Sequence, residues 1–196
     1  LMAVSDQTLP GWVDSDCLVV AVSYSGNTEE TLAALSEAEN RGCTLAAVTS
    51  GGELGMRAEN QNWPLVKMPG GNPPRSQFGR SFLGLCALLH AYGILSNASW
   101  ETIQQAARGL DGSSVEERGE SLALALEGKK IYLYGDSPMR GLLTRWRQQL
   151  NENSKLLANV EVFPEMNHNE LVGWESGDET CVAVLVRTPD DHPRTQ

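Results

Sequence analysis

Residues 17–31, CLVVAVSYSGNTEET, decide how this chain folds. Leu18 to Val22 make a short apolar run rich in β-branched residues, the kind found in strands covered on both faces. The composition then flips. Ser23, Tyr24, Ser25, Gly26, Asn27 and Thr28 supply hydroxyls, an amide and one glycine, and Glu29 begins a helical pattern. A helix start carries unpaired N–H groups and partial positive charge, so hydroxyls beside it make a site for a small anion such as phosphate. The same spacing also suits a plain N-cap with turn residues.

Outward from this stretch the rhythm is that of an α/β protein. Leu32, Leu35 and Ala38, with Glu29, Glu30 and Glu37 outside, predict an amphipathic helix closed by Arg41-Gly42. Thr44 to Thr49 is a second strand, followed by the turn Ser50-Gly51-Gly52, and strand, helix, strand at this spacing implies a right-handed parallel βαβ unit. Glu53 to Asn60 reads as a short helix and Leu65 to Met68 as a third strand. Pro69 to Gln77, PGGNPPRSQ, holds three prolines and two glycines, which exclude helix and central strand and predict a shaped loop with one cation, Arg75. Alone, Arg75 reads as a solvated loop arginine. Phe78 to Leu95 is a strongly apolar helix with Phe82, Leu85, Leu88, Leu89 and Tyr92 as buried candidates and His90 at the core boundary.

Residues 97–127 are helical and more polar, with Leu110-Asp111-Gly112-Ser113-Ser114 as a break. A lobe boundary is expected there, giving lobes 1–112 and 113–196. The βα rhythm then restarts. Lys130 to Tyr134 is a strand, Gly135-Asp136-Ser137 a turn, and Pro138 the first residue of a helix capped by Ser137. On that helix Met139, Leu142, Leu143, Trp146 and Leu150 share a face, and Val160 to Phe163 and Cys181 to Val186 are further strands. The fold expected is α/β, two related lobes each built on a mostly parallel sheet.

With 196 residues and 41% hydrophobic content the chain can bury a sizeable core. Acidic side chains outnumber basic ones 25 to 15, for a formal charge of −10, and no basic cluster lines any face, which argues against nucleic acid and anionic membranes as partners. An anionic substrate must then be held by local donors. Cys17, Cys43, Cys86 and Cys181 are widely spaced among apolar neighbours with no CxxC pair, as expected of buried free thiols in a reducing cytoplasm. No 18-residue apolar run occurs, and LMAVSDQTLPGW lacks the features of a signal peptide. Leu1 as a first residue suggests an incomplete record.

Two further groups are candidates for chemistry. Glu152, in LNENSK, falls at the C-terminal end of the Pro138 helix, where the dipole disfavours a carboxylate, a placement that suits a proton acceptor and that a surface glutamate also tolerates. His168, in FPEMNHNELVGW, lies among Glu165, Asn167, Asn169 and Glu170; imidazole is the side chain most readily poised for proton transfer near neutrality, and flanking amides can fix its tautomer. No second His or Cys lies at metal-ligand spacing. His192, in the polar DDHPRTQ, reads as solvated.

SYSGNTEET followed by TSGGEL, NPPR, NENSK and FPEMNHNELVGW resembles the bifunctional phosphoglucose/phosphomannose isomerase family, whose lobes are sugar isomerase (SIS) domains. The match runs from Leu9-Pro10 to Asp191-His192. The resemblance implies two SIS-type lobes, each a three-layer αβα sandwich. It implies reversible isomerisation of glucose 6-phosphate, and of mannose 6-phosphate, to fructose 6-phosphate through a cis-enediol. Ser23, Ser25 and Thr28 would hold the phosphate, Arg75 would stabilise the enediolate, Glu152 would carry the proton between C2 and C1, and His168 would relay a proton during ring opening. No metal or organic cofactor is implied; a cytoplasmic homodimer with shared sites is. Family members usually begin with a glycine/serine-rich loop of the form GGSAIGG and continue past the last strand into helices with a further lysine and histidine, and neither is matched here, so truncation at both ends is expected. Two other readings stay open: a non-catalytic SIS module that binds a phosphosugar and regulates a partner, and an aminosugar-phosphate isomerase.

Overall fold

The computed structural model describes residues 1–110 and 112–195, apart from the side chain of Ser114. The chain divides into two compact units, Leu1–Leu110 and Asp111–Gln196. Each is α/β with its own parallel sheet.

In the first unit β1 (Leu18–Val22), β2 (Thr44–Thr49) and β3 (Leu65–Lys67) lie in sequence order and all parallel, with Leu18 opposite Thr44 and Ala47 opposite Leu65. Four helices follow: α1 (Glu29–Asn40), α2 (Gly52–Asn60), α3 (Phe78–Ala91) and α4 (Asn97–Arg108). Side chains alternate across a strand, and β2 shows the consequence. Leu45 and Ala47 pack with Leu35 and Ala38 of α1 and Leu54 and Ala58 of α2, whereas Ala46 and Val48 pack with Met68 and Leu88 of α3. The sheet is therefore covered on both faces, as its apolar strands predict. A Cβ added at Gly84 would come within 2.9 Å of the Val48 side chain, so this glycine lets α3 lie close on the sheet.

The lead-in to β1 is tied down by one arginine. Arg41 donates to the carbonyls of Pro10 (2.7 Å), Val13 (2.8 Å) and Leu9 (3.3 Å) and pairs with Glu37, whose carboxylate also accepts the Leu9 N–H at 2.7 Å. The Leu9 bond first, and Arg41 second, hold the Glu37 carboxyl below its ordinary 4.5.

The second unit contains α5 (Gly112–Leu126), β4 (Lys130–Asp136), α6 (Arg140–Gln149), β5 (Ala158–Phe163), α7 (Glu170–Gly173) and β6 (Cys181–Val186). Its sheet runs β5-β4-β6, again all parallel. Leu126, Ile131, Leu133, Leu143, Ala158 and Val162 form its core.

Several expectations are corrected. Phe82 and Tyr92 are 45% and 38% exposed, because α3 meets the sheet through Gly84 and Leu88, leaving Phe82 to stack on Phe78 one turn away. Leu85 is only half-buried. Leu142 is 56% exposed, since a helix advances about 100° per residue and the buried stripe runs through Met139, Leu143 and Trp146. β4 continues through Gly135 and Asp136, where a turn was expected. Ser137 opens a 3-10 turn, Ser137–Met139, and its hydroxyl donates to the Phe163 carbonyl at 2.8 Å instead of capping a helix. Pro74–Gln77 is likewise a 3-10 turn within the expected loop, with a proline at its start, where the missing N–H costs nothing. Of the expected break at residues 110–114, Asp111 lies outside the described residues and Gly112 already belongs to α5. His192 is more than solvated: its N–H donates to the Asp136 carboxylate at 2.6 Å, which also accepts from the Thr195 hydroxyl at 2.8 Å.

The four cysteines are free thiols, but only Cys86 is buried; Cys17, Cys43 and Cys181 are half-buried at or beside strand starts, where their thiols bond Asp14 or Asp178. Among the described residues no helix is long and apolar enough to cross a membrane, and no cluster of His, Cys, Asp and Glu is arranged to hold a metal ion.

Candidate functional site

In open α/β sheets ligands sit outside the carboxyl ends of the strands. In the first unit three loops meet there. The loop after β1, Ser23 to Thr28, and the loop after β2, Ser50 to Gly52, are interlocked by backbone bonds. The Ser50 N–H and hydroxyl both donate to the Tyr24 carbonyl (2.9 and 2.6 Å), and the Leu54 N–H donates to Gly26 O at 2.9 Å. Asn27 caps α2 by accepting the Glu53 N–H at 2.9 Å. The approach is so close that a Cβ on Gly26 would meet the Gly51 oxygen at 1.8 Å, and Gly26 has φ +71, a conformation L side chains rarely adopt. Buried Thr49 completes the lock by donating to Gly51 O at 2.9 Å.

Ser23 and Thr28 are brought together. Their hydroxyls are 2.8 Å apart, and Ser23 Oγ also accepts the Gly26 N–H at 3.2 Å. Ser23 is buried, whereas Ser25 and Thr28 are exposed. Thr28 is the N-cap of α1 yet its hydroxyl bonds Ser23, and no side chain caps the helix. The first-turn N–H groups of α1 are therefore left to water or to an anion. The three hydroxyls differ in setting: Ser25 and Thr28 are open to solvent beside the helix start, while Ser23 is buried beneath them and bonds Thr28.

Arg75 lies in the loop after β3, exposed, on the 3-10 turn Pro74–Gln77. Tyr24 joins that loop to the first one: its phenol donates to Pro69 O and accepts the Asn72 N–H, both at 3.1 Å.

In the second unit Glu152 is exposed on a π-helical turn, Leu150–Ser154, that continues α6. Such turns are rare and occur frequently at functional sites. The neighbours explain the sequence NENSK. The Asn151 amide donates to Leu156 O (2.7 Å) and Arg147 O (3.1 Å), Asn153 donates to Gln149 at 3.0 Å, and Lys155 ends the turn in the left-handed region, its ammonium on Glu152 O at 2.5 Å. Asn151, Asn153 and Lys155 thus brace the turn on which Glu152 is exposed.

His168 closes a 3-10 turn, Glu165–His168, and is exposed. The expectation that flanking amides fix its tautomer is not met, since the Asn169 carboxamide is engaged by Glu165 (3.3 Å) and by the N–H of Glu170. The segment is instead anchored behind His168. Tyr134, 1% exposed, donates to the Glu170 carboxylate at 2.6 Å and accepts from the Trp174 indole at 3.0 Å. Burial, and next the bond to Glu170, push the Tyr134 phenol up.

Sequence reading assigned no part to Thr49, Asn151, Asn153 and Tyr134, and it placed Tyr24, Asn27 and Glu170 in their segments without the bonds by which they brace them. Asn27 had a usable signal, a polar residue beside a glycine in the loop after a strand, and Thr49 a weaker one, a hydroxyl at the last position of a strand. Tyr134 had none, because its partners lie 36 and 40 positions away.

Residues 115–196 match the family described as the bacterial phospho-glucose isomerase C-terminal SIS domain. Over 96% and 98% of its length the chain is 36% and 34% identical to the bifunctional phosphoglucose/phosphomannose isomerases of Caldicellulosiruptor bescii and Aquifex aeolicus, and it spans 59% of each. It is also 36% identical, over 84% of its length and 53% of the relative's, to a D-glucosamine-6-phosphate 4-epimerase of Sulfolobus acidocaldarius. Among solved structures, the tagatose-6-phosphate ketose/aldose isomerase of Escherichia coli aligns over 94% of this chain and 52% of its own, with a TM-score of 0.64 and 20% identity, which is a likeness of fold.

Proposed function

We propose that this chain, a relative of the bifunctional phosphoglucose/phosphomannose isomerases over nearly its whole length, contributes the phosphate anchor and the catalytic base of a sugar-phosphate aldose–ketose isomerase. Both units are then SIS lobes. The match of residues 115–196 supports this for the second, and the covered parallel sheet with its hydroxyl loop supports it for the first. Substrates are glucose 6-phosphate and mannose 6-phosphate, converted to fructose 6-phosphate.

The reaction moves a proton between two carbons next to a carbonyl, so it needs a base, a cation for the enediolate and a grip that fixes the sugar's position. Ser25, Thr28 and the N–H groups of α1 hold the phosphate, with Ser23 keeping Thr28 turned toward it. Glu152 takes the proton from C2 and returns it at C1. Arg75 stabilises the charge on the enediolate oxygens, and His168 relays a proton as the ring opens. The mechanism requires no metal or organic cofactor.

The observation that favours isomerisation over simple phosphosugar binding is the exposed Glu152 on a braced π-helical turn, a local geometry that occurs frequently at functional sites. The kinship to a 4-epimerase favours one second reading, proton transfer on an aminosugar phosphate. A coupled assay of the full-length protein against glucose, mannose and glucosamine 6-phosphates separates the two. Turnover of the first two supports the isomerase, turnover of the third alone the second reading, and binding without turnover of any overturns both. The reading includes a cytoplasmic homodimer, and sedimentation of the full-length protein as a monomer would remove that part.

A further inference from the structure

Tyr24 sits between Ser23 and Ser25 in the loop after β1, yet its phenol bonds a different loop. The ring packs against the cluster of Ala46, Val48, Met68 and Leu88, and its backbone carbonyl is taken by Ser50. The phenol's single O–H is spent on Pro69 O, and its oxygen accepts the Asn72 N–H. The phenol's one proton is thus committed to the loop after β3.

What it does touch is the segment that carries Arg75. Between Asn72 and Arg75 stand Pro73 and Pro74, whose rings fix φ, and the 3-10 turn begins at Pro74. A bond at Asn72 is passed on to Arg75 through a stiff connection of two residues. The same tyrosine thus holds the hydroxyl loop after β1 by its backbone and the arginine loop after β3 by its phenol.

We infer that Tyr24 is a positioning residue for the proposed isomerisation, acting through Arg75 by fixing the arginine loop against the phosphate loop. The inference rests on the enediolate role of Arg75 given above. The substitution that tests it is Tyr24→Phe in the full-length protein, which keeps the packed ring and removes only the latch. With glucose 6-phosphate, kcat falls about ten- to a hundred-fold, the loss a misplaced catalytic group produces, while KM changes less than about three-fold. In an Arg75→Ala background the same substitution changes kcat less than about two-fold, since residues acting through one another are not additive. An equal loss of kcat in both backgrounds, or an effect confined to KM, overturns the inference. Arg75→Ala alone separates the two layers. If that variant keeps wild-type kcat, the role of Arg75 fails and the inference falls with it; if it is impaired and the cycle is additive, only the Tyr24 inference fails.

Discussion

Gly26→Ala is the substitution to which the phosphate loop is most sensitive. The added methyl would stand 1.8 Å from the Gly51 oxygen and 2.9 Å from Thr49 Oγ1, and the residue would keep φ near +71. The left-handed backbone costs an L-residue roughly 1–2 kcal/mol. Relieving the clash requires the two loops to part, since the obstacle is backbone and has no rotamer to change, and overpacking of this kind costs about 1–3 kcal/mol. Parting them breaks the bonds from Leu54 N–H to Gly26 O and from Ser50 to Tyr24 O, each contributing about 1 kcal/mol net. With three such bonds the expected loss is about 5–8 kcal/mol, a large share of the ~5–15 kcal/mol that stabilises a domain. Thermal unfolding followed by circular dichroism should shift down by roughly 10–30 °C, at about 2–4 °C per kcal/mol for a chain of this size. Gly70→Ala is the control, because a Cβ there meets nothing within 4 Å, and it should change stability by less than about 0.5 kcal/mol. A Gly26→Ala protein that melts with the wild type and binds glucose 6-phosphate equally well would refute the interlocked-loop reasoning.

Further outcomes follow from the same geometry. Thr28→Ala raises KM for glucose 6-phosphate about five- to twenty-fold with a smaller change in kcat, in keeping with one lost hydrogen bond to a charged group at about 1.5–3 kcal/mol or less, and steady-state kinetics showing the reverse split would contradict it. Tyr134→Phe leaves the Glu170 carboxylate and the Trp174 N–H without their shared partner and should lower stability by about 1–3 kcal/mol in urea unfolding, so an unchanged midpoint would show the network to be idle. Because Glu37 is held below its ordinary 4.5, its contribution is fully present above that pH and is lost as the pH falls through the lower folded value. Glu37→Gln should flatten the decline of stability below pH 4.5, and an identical acid limb in both proteins would contradict the assignment.

The strands of both sheets were legible because they are short apolar runs bounded by turn residues, and β1, α1 and β2 fall where the pattern puts them. Legibility failed where a side chain's fate depends on the packing angle of its helix. Phe82 and Leu142 are apolar and near the buried stripe, but a single glycine under α3 and a 100° step on α6 decide which neighbour is covered. It failed again where local bonding replaced an expected regular end: the π-helical turn around Glu152 depends on Asn151 reaching Leu156 across the turn, a contact that helical periodicity does not contain. At the candidate site the hydroxyls of SYSGNT announce themselves by composition. The groups that aim them, Thr49 from the next strand and Tyr24 through Pro69 and Asn72, act over separations of 25 to 48 positions and become visible only in three dimensions.

Glu152 bears the central claim, and isomerisation in deuterated water tests it directly. In the full-length protein, wild-type turnover of glucose 6-phosphate should place solvent deuterium on the product sugar. Glu152→Gln should lose turnover and deuterium incorporation together by about 10²–10⁴-fold, the share a general base supplies, while still binding the substrate. A Glu152→Gln enzyme that isomerises and exchanges at near wild-type rates would contradict the account.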